Sequence, residues 1–360
     1  MKKYLEIHNI KWIHLTFANS QNIFDKFFNI ISLYFSITKL IFLRKIDIFH
    51  CRGLPSASTG LFFKKFFNIK LIFDFRGLWA DERVTKGGWD LSNRFHKIQY
   101  SFFKKREKKL FLYADRIIVL TERVLEEIVQ STNLDRSRIS VIPCAADFEH
   151  FKIIDKRDKR TQNFINLPDK DAFVIGYLGS IGPMYGFKEY LELVISLNKF
   201  SGQTQAFYGL IITNDVKLAD SIIKNDLEDA HHQFFIVKQS ERKNIPYYLS
   251  YMTALTAFYT IKYSVISVSP TKIGEALACG IPVIVNSGIG DTDSILKKLN
   301  AGIILQDYSL GTLREFARNT SFPLIFQKSK VRSSARKLFD LELAIEKYSH
   351  IYESLHERND

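Results

Sequence analysis

Cysteine is scarce: Cys51, Cys144 and Cys279 are scattered along 360 residues, without CxxC or Cys/His ligand spacing. That excludes a disulfide scaffold and a structural zinc site, and it fits a reducing compartment. Eight prolines and 17 glycines are too few for a collagen-like or Pro/Gly-rich disordered chain. Long apolar runs are also lacking. The nearest, Phe27 to Leu43, is interrupted by Asn29, Ser32, Ser36, Thr38 and Lys39 and falls short of the roughly 20 mainly apolar residues a bilayer crossing needs. It reads as a buried or interfacial helix. After Met1-Lys-Lys the chain passes directly to Tyr4-Leu-Glu-Ile-His8, with no apolar signal-peptide core, so cytoplasm is the expected location.

Acidic residues are scarce in one region only. Residues 1–110 hold 21 Lys+Arg against 8 Asp+Glu, while the other 250 hold 30 of each, so the whole net charge of +13 lies in the first third. The same third holds 16 of the 31 phenylalanines, in runs such as Leu61-Phe-Phe-Lys-Lys-Phe-Phe67. Basic residues interleaved with large apolar ones suit an anionic lipid surface. For any single run, a packed core with a solvated outer face explains the pattern as well. Nucleic acid is not expected as a partner, because no RNP-type, zinc-finger or helix-turn-helix signature organises the charge.

What is present is alternation. Short β-branched runs alternate with longer amphipathic ones, the pattern of βα units and parallel sheets. The predicted strands are Trp12–Phe17, Ile46–His50, Leu71–Phe75, Arg116–Thr121 and Ile139–Pro143, then Phe173–Leu178, Phe207–Thr213, Phe234–Val237, Ala254–Tyr259, Pro282–Asn286 and Gly302–Leu305. Two Rossmann-like domains facing a cleft follow, with the boundary in the polar stretch Lys152 to Lys170: residues 1–160, 161–328, and a final helix within 329–360 expected to pack back on the first domain.

In open α/β sheets ligands bind beyond the carboxyl ends of strands. Four loops there carry chemistry. One is Asp74-Phe-Arg76 and the charged stretch after it. A second is Gly179-Ser-Ile-Gly-Pro-Met-Tyr-Gly186, where Gly179, Ser180 and Gly182 let backbone amides approach a phosphate; a plain turn would read the same. The third, Ser269-Pro-Thr-Lys-Ile-Gly-Glu275, gathers the hydroxyls of Ser269 and Thr271 and the Lys272 ammonium at a helix start. Glu275, one turn on, is placed to accept both hydroxyls of a ribose. The fourth, Gly288-Ile-Gly290-Asp-Thr-Asp293, again pairs glycine with a helix start.

With these loops the chain resembles a retaining GT-B glycosyltransferase of family 4, of the branch found in bacterial surface-polysaccharide and capsule assembly. The matching segments run in family order from about Trp12 to Leu305, and Ser269 to Val283 is the most specific of them. The resemblance implies a nucleoside-diphosphate sugar as donor, held by the C-terminal domain, and a glycan or lipid-linked acceptor held by the N-terminal one. Glu275 would bind the donor ribose; Gly179, Ser180, Gly182, Ser269, Thr271, Lys272 and Gly290 would line the donor site. Asp74 and Arg76 would face the acceptor and the reacting sugar. No metal and no other cofactor is required, and contact with an anionic membrane at its inner face is expected.

Three departures accompany the resemblance. Ser267 stands where relatives carry a second glutamate ahead of Glu275. Ser180 replaces an arginine after Gly179. Relatives also begin with a βαβ unit that does not fit before Trp12, so the N-terminal domain is expected to be incomplete, by a late-assigned start or a deletion. The alternatives to a transferase are a shortened, non-catalytic nucleotide-binding remnant or subunit, and a GT-B sugar-nucleotide epimerase.

Overall fold

The structure is a computed structural model describing residues 2–16, 22–43, 46–155, 164–167, 169, 172–322 and 324–356. Its strands pair in parallel in two sheets. The first contains β1 (Ile48–Arg52), β2 (Lys70–Asp74), β3 (Arg116–Val119) and β4 (Ile139–Val141), side by side in chain order. The second contains β5 (Phe173–Leu178), β6 (Phe207–Ile212), β7 (Phe235–Lys238), β8 (Ala254–Ala257), β9 (Val283–Asn286) and β10 (Gly302–Leu305), in the order β10-β9-β8-β5-β6-β7. Leu71-Ile-Phe73 and Val283-Ile-Val285 are fully buried apolar runs without alternation, as expected of parallel strands covered on both faces. In the second sheet the chain winds outward from β5 in one direction, returns, and winds outward from β8 in the other. The crevice between the carboxyl ends of β5 and β8 is therefore a topological switch point.

Ten of the eleven expected strands form. Trp12–Phe17 does not: residues 12–16 are irregular, and Phe17 lies outside the described residues. A strand needs a neighbour to satisfy its backbone, and among the described residues nothing pairs with the outer edge of β1. Trp12 remains 52% exposed, its ring 5.7 Å from that of His14. The segment expected to be buried or interfacial is a helix, Ile23–Leu43. Tyr34 packs against Phe62 and Phe63, while Phe24, Phe27, Phe28, Phe35 and Phe42 remain exposed. No helix among the described residues is long and apolar enough to cross a membrane.

The expected single C-terminal helix is two, Lys328–Phe339 and Leu341–His356, separated by Asp340 in extended backbone. The break lets the chain pass Ala146, whose amide donates to the Phe339 carbonyl (2.7 Å) and whose carbonyl accepts from the Leu341 amide (3.1 Å). The first helix buries Val331, Ala335 and Phe339 in the C-terminal core. The second lays Ala344, Ile351 and Leu355 on Ile72, Ile118 and Ile142 of the N-terminal sheet. Of the expected boundary stretch, residues 156–163, 168 and 170 lie outside the described residues.

Candidate functional site

The loops after the strands bring the two sheets together. Thr121 caps the helix Glu122–Thr132, and its hydroxyl donates to the Ile266 carbonyl at 2.7 Å. The Asp291 carboxylate accepts the amides of Glu122 (2.6 Å) and Arg123 (3.2 Å) at that helix start, where the helix dipole favours an anion. Arg123 in turn donates to the carbonyls of Gly288 and Gly290. Gly290, expected in the donor site, packs at this junction: with φ +42°, a Cβ would meet the Val268 carbonyl at 2.1 Å and the Thr121 methyl at 2.9 Å. Those contacts require glycine without any ligand.

Lys272, Glu275 and Gly179 come together at the switch point. The helix Thr271–Ala278 follows β8 through a loop that contains the 3-10 turn Tyr263–Ser267 and places Lys272 so that a Cβ on Gly179 would lie 3.5 Å from its Nζ. Gly179 has φ +124°, which lets the backbone turn beside the ammonium without a side chain in the way. The ammonium lies over three rings, Tyr177 (5.1 Å), Tyr185 (5.4 Å) and Tyr259 (5.7 Å), within the range in which ring faces attract cations. Burial nonetheless pushes Lys272 down to about 8, opposed by the Glu275 charge. Burial of the same surroundings raises the tyrosine hydroxyls Tyr177 and Tyr259 well above their ordinary range.

The other residues expected to line a donor site lie in the same loops. Ser180 is exposed, and its carbonyl accepts from the Tyr177 hydroxyl (2.7 Å). The Gly182 carbonyl accepts from the Tyr185 amide. Thr271 is the first residue of the helix and is exposed. Asn286 fixes Tyr259 from both sides, accepting from its amide (2.8 Å) and donating to its carbonyl (3.0 Å).

Glu275 is 6% exposed. Burial raises its carboxyl, opposed first by Arg242 and then by His150 and Lys272. Arg242 donates to Oε1 at 2.8 Å, lies over the Phe151 ring at 5.1 Å, and its carbonyl meets His150 Nε2 at 3.2 Å. Arg242, in the segment after β7, thus opposes the effect of burial on this carboxyl, a partnership no local motif announces.

On the N-terminal side, Asp74 closes β2 and is 4% exposed. Arg76 lies 3.5 Å from Asp74 Oδ1 and donates to Cys144 Sγ at 3.4 Å. The Cys144 amide donates to the Ser269 hydroxyl at 3.2 Å, so one residue joins the Asp74–Arg76 pair to the loop carrying Lys272. Ser267, at the position the resemblance gives to a glutamate, accepts from the Leu78 amide (3.2 Å) and donates to the Ser264 carbonyl (2.8 Å), a contact between the two units. The sequence reading missed the tyrosine cage, Arg242, and two tyrosines of the last helix, Tyr348 and Tyr352, that reach His50.

Two sheets meeting along their carboxyl ends, with a cation and a glycine turn at one switch point, define the class of protein. The Glycosyltransferase Family 4 model matches residues 5–150, and the Glycosyl transferases group 1 model matches residues 158–315. The chain is a glycosyltransferase of the GT-B type. Among solved structures, it is similar to sucrose-phosphate synthase from Thermosynechococcus elongatus (15% identity, TM-score 0.69, covering 96% of this chain and 83% of that one). A glycosyltransferase from Rickettsia africae gives 18% identity and TM-score 0.66, covering 98% and 87%. Anabaena Alr3699/HepE in complex with UDP gives 13% and 0.68, covering 98% and 89%. No curated protein is matched by the sequence.

Proposed function

We propose that this chain transfers a sugar, with retention of anomeric configuration, from a nucleoside-diphosphate sugar to a glycan or lipid-linked acceptor in surface-polysaccharide synthesis. The observation that carries the reading is the meeting of Lys272, Gly179 and Glu275 at the β5–β8 crevice. Lys272 and the amides of Ser180 and Gly182 would hold the departing diphosphate, the Gly179 and Ile181 amides of the same turn being bonded to the Ile212 carbonyl and the Asp215 carboxylate; fixed positive charge there stabilises the charge that develops as the glycosidic bond breaks. Glu275 would accept the two ribose hydroxyls, for which a charged acceptor is the stronger partner. Asp74 and Arg76 would face the reacting sugar, and no metal is required. A structural neighbour holds UDP-glucose, which makes uridine nucleotides the first donors to try.

The exposed phenylalanines of Ile23–Leu43 and the basic first third support peripheral contact with an anionic membrane, at its inner face in the cytoplasm. Cosedimentation with vesicles that ignored anionic lipid content would remove that part of the reading.

The test of the activity is a panel of sugar nucleotides, scored by release of nucleoside diphosphate with and without membrane extract as acceptor source. Acceptor-dependent release from one donor is expected. The edge of β1, unpaired among the described residues, favours the second reading, a non-catalytic nucleotide-binding remnant, and calorimetric binding of UDP without turnover of any donor would establish it. Epimerised donor without acceptor would instead mark an epimerase.

A further inference from the structure

The helix Thr271–Ala278 carries a cation and an anion three residues apart, Lys272 and Glu275. That spacing puts opposite charges side by side on a helix surface, where they ordinarily pair. Here they do not. Among the described residues Glu275 pairs with Arg242, which donates to Oε1 at 2.8 Å. The Lys272 ammonium lies instead among the rings of Tyr177, Tyr185 and Tyr259.

Arg242 has a seat of its own. Its guanidinium lies over the ring of Phe151, a fully buried residue, and its carbonyl meets His150 Nε2. Arg332 holds the carbonyls of Phe148 and Phe151 together with that of Ala278, at the end of the helix that carries Glu275. An ion pair between two mobile, exposed side chains contributes little; this one joins a seated cation to a carboxylate side chain that keeps 8% of its surface. The second carboxylate oxygen, Oε2, accepts from no donor among the described residues, yet it is not one of the sealed unpartnered atoms, which are Asp74 Oδ1 and Glu107 Oε2. Solvent therefore reaches it, and a carboxylate beside one guanidinium still has acceptor capacity to offer.

We propose that Arg242 is a positioning residue that sets the ribose specificity of the nucleotide site: by holding Glu275 away from Lys272, it leaves the carboxylate for the ribose diol and the ammonium for the diphosphate. A direct Lys272–Glu275 pair would neutralise both groups at once, and a nucleotide would have to break it before binding. Arg242 acts through Glu275 and touches no reacting atom. The proposal deepens the transferase reading and rests on its assignment of Glu275 to the ribose. It adds the means by which two opposite charges on one helix stay available to two parts of one ligand.

The experiment is calorimetry on the full chain, comparing UDP, ADP and GDP with their 2′,3′-dideoxy forms and carrying through the base that binds most tightly. The ratio of the two affinities reads the ribose contact. The wild-type chain should favour the ribonucleotide by about tenfold or more, as hydrogen bonds to a charged acceptor imply. Arg242→Ala, at a side chain 64% exposed, should keep its fold, checked by thermal unfolding, and lose that ratio severalfold. Arg242→Lys, which keeps a cation beside Glu275, should retain most of it. Removing the competing ammonium should rescue the loss: Lys272→Met combined with Arg242→Ala should show the same ratio as Lys272→Met alone, at the lower affinity both share. A ratio unchanged in Arg242→Ala, including an equal loss for both nucleotide forms, overturns the proposal and leaves the ribose reading standing. A ratio lost but not recovered in the double variant does the same. A wild-type ratio near one, or no nucleotide bound, removes the ribose reading and the proposal with it.

Discussion

The two sheets of this molecule are built by the same rule and finished differently. The C-terminal sheet has three strands on each side of its switch point, and the central pair, β5 and β8, supplies both loops that meet at Lys272. The N-terminal sheet is a single outward run, β1 to β4, with one edge unpaired among the described residues and a neighbouring helix whose phenylalanines face outward. A crevice that binds a ligand arises where strand order reverses. The difference therefore teaches that the C-terminal sheet gathers Gly179 and Lys272 around its own switch point, while the N-terminal sheet is covered on one face by a distant part of the chain, the last helix.

The comparison is most directly broken through stability. Leu255 is fully buried in β8, and Leu255→Ala should cost about 2–5 kcal/mol in denaturant unfolding; a loss under half the lower figure would mean the C-terminal core is less tightly packed than its burial implies. Next is the donor site: Glu275→Ala should weaken UDP binding by about 1.5–3 kcal/mol, read by calorimetry, and an unchanged affinity would contradict the ribose role.

The third effect depends on pH. Lys272 sits at about 8 in the folded chain against roughly 10.4 when exposed, so between those values the unfolded chain binds more protons and its contribution to stability rises with pH. Diphosphate binding runs the other way, because only the ammonium attracts it. UDP affinity should fall roughly fivefold from pH 8 to pH 9, with proton uptake on binding, as expected for a single group titrating near 8. Affinity flat across that range would remove Lys272 from the diphosphate. The smallest effect sharpens the contrast: Phe28→Ser, at a side chain 68% exposed, should change unfolding stability by no more than about 0.5 kcal/mol. A loss as large as that of Leu255→Ala would show that the outward helix face is packed after all.

Strands were legible where burial on both faces writes an unbroken apolar run, as in Phe173–Leu178, which forms with the expected bounds; the half-buried edge strand Gly302–Leu305 does so too. In the Trp12–Phe17 stretch, residues 12–16 are comparably apolar but pair with no strand among the described residues, and pairing is not a local property. The same division holds in the site. Gly179, Lys272 and Glu275 were readable because a glycine turn and a helix start are encoded within a few residues. The rings of Tyr177, Tyr185 and Tyr259, and the Arg242 partner of Glu275, converge from segments far apart in sequence, so no spacing pattern records them. At Gly290 the sequence signal is ambiguous: a glycine before a helix has the same local signature whether a phosphate or a neighbouring carbonyl approaches it, and here the Val268 carbonyl does.

The pairing of Ala146 with Phe339 and Leu341 has a mechanical consequence. The chain leaves the N-terminal unit through residues near 146 and returns to it through residues near 340, and the two passages are bonded side by side. A single connection would swivel freely, whereas two tied in parallel resist twist and sliding and leave bending across the pair as the soft coordinate. Any relative motion of the two units would then be confined to one axis.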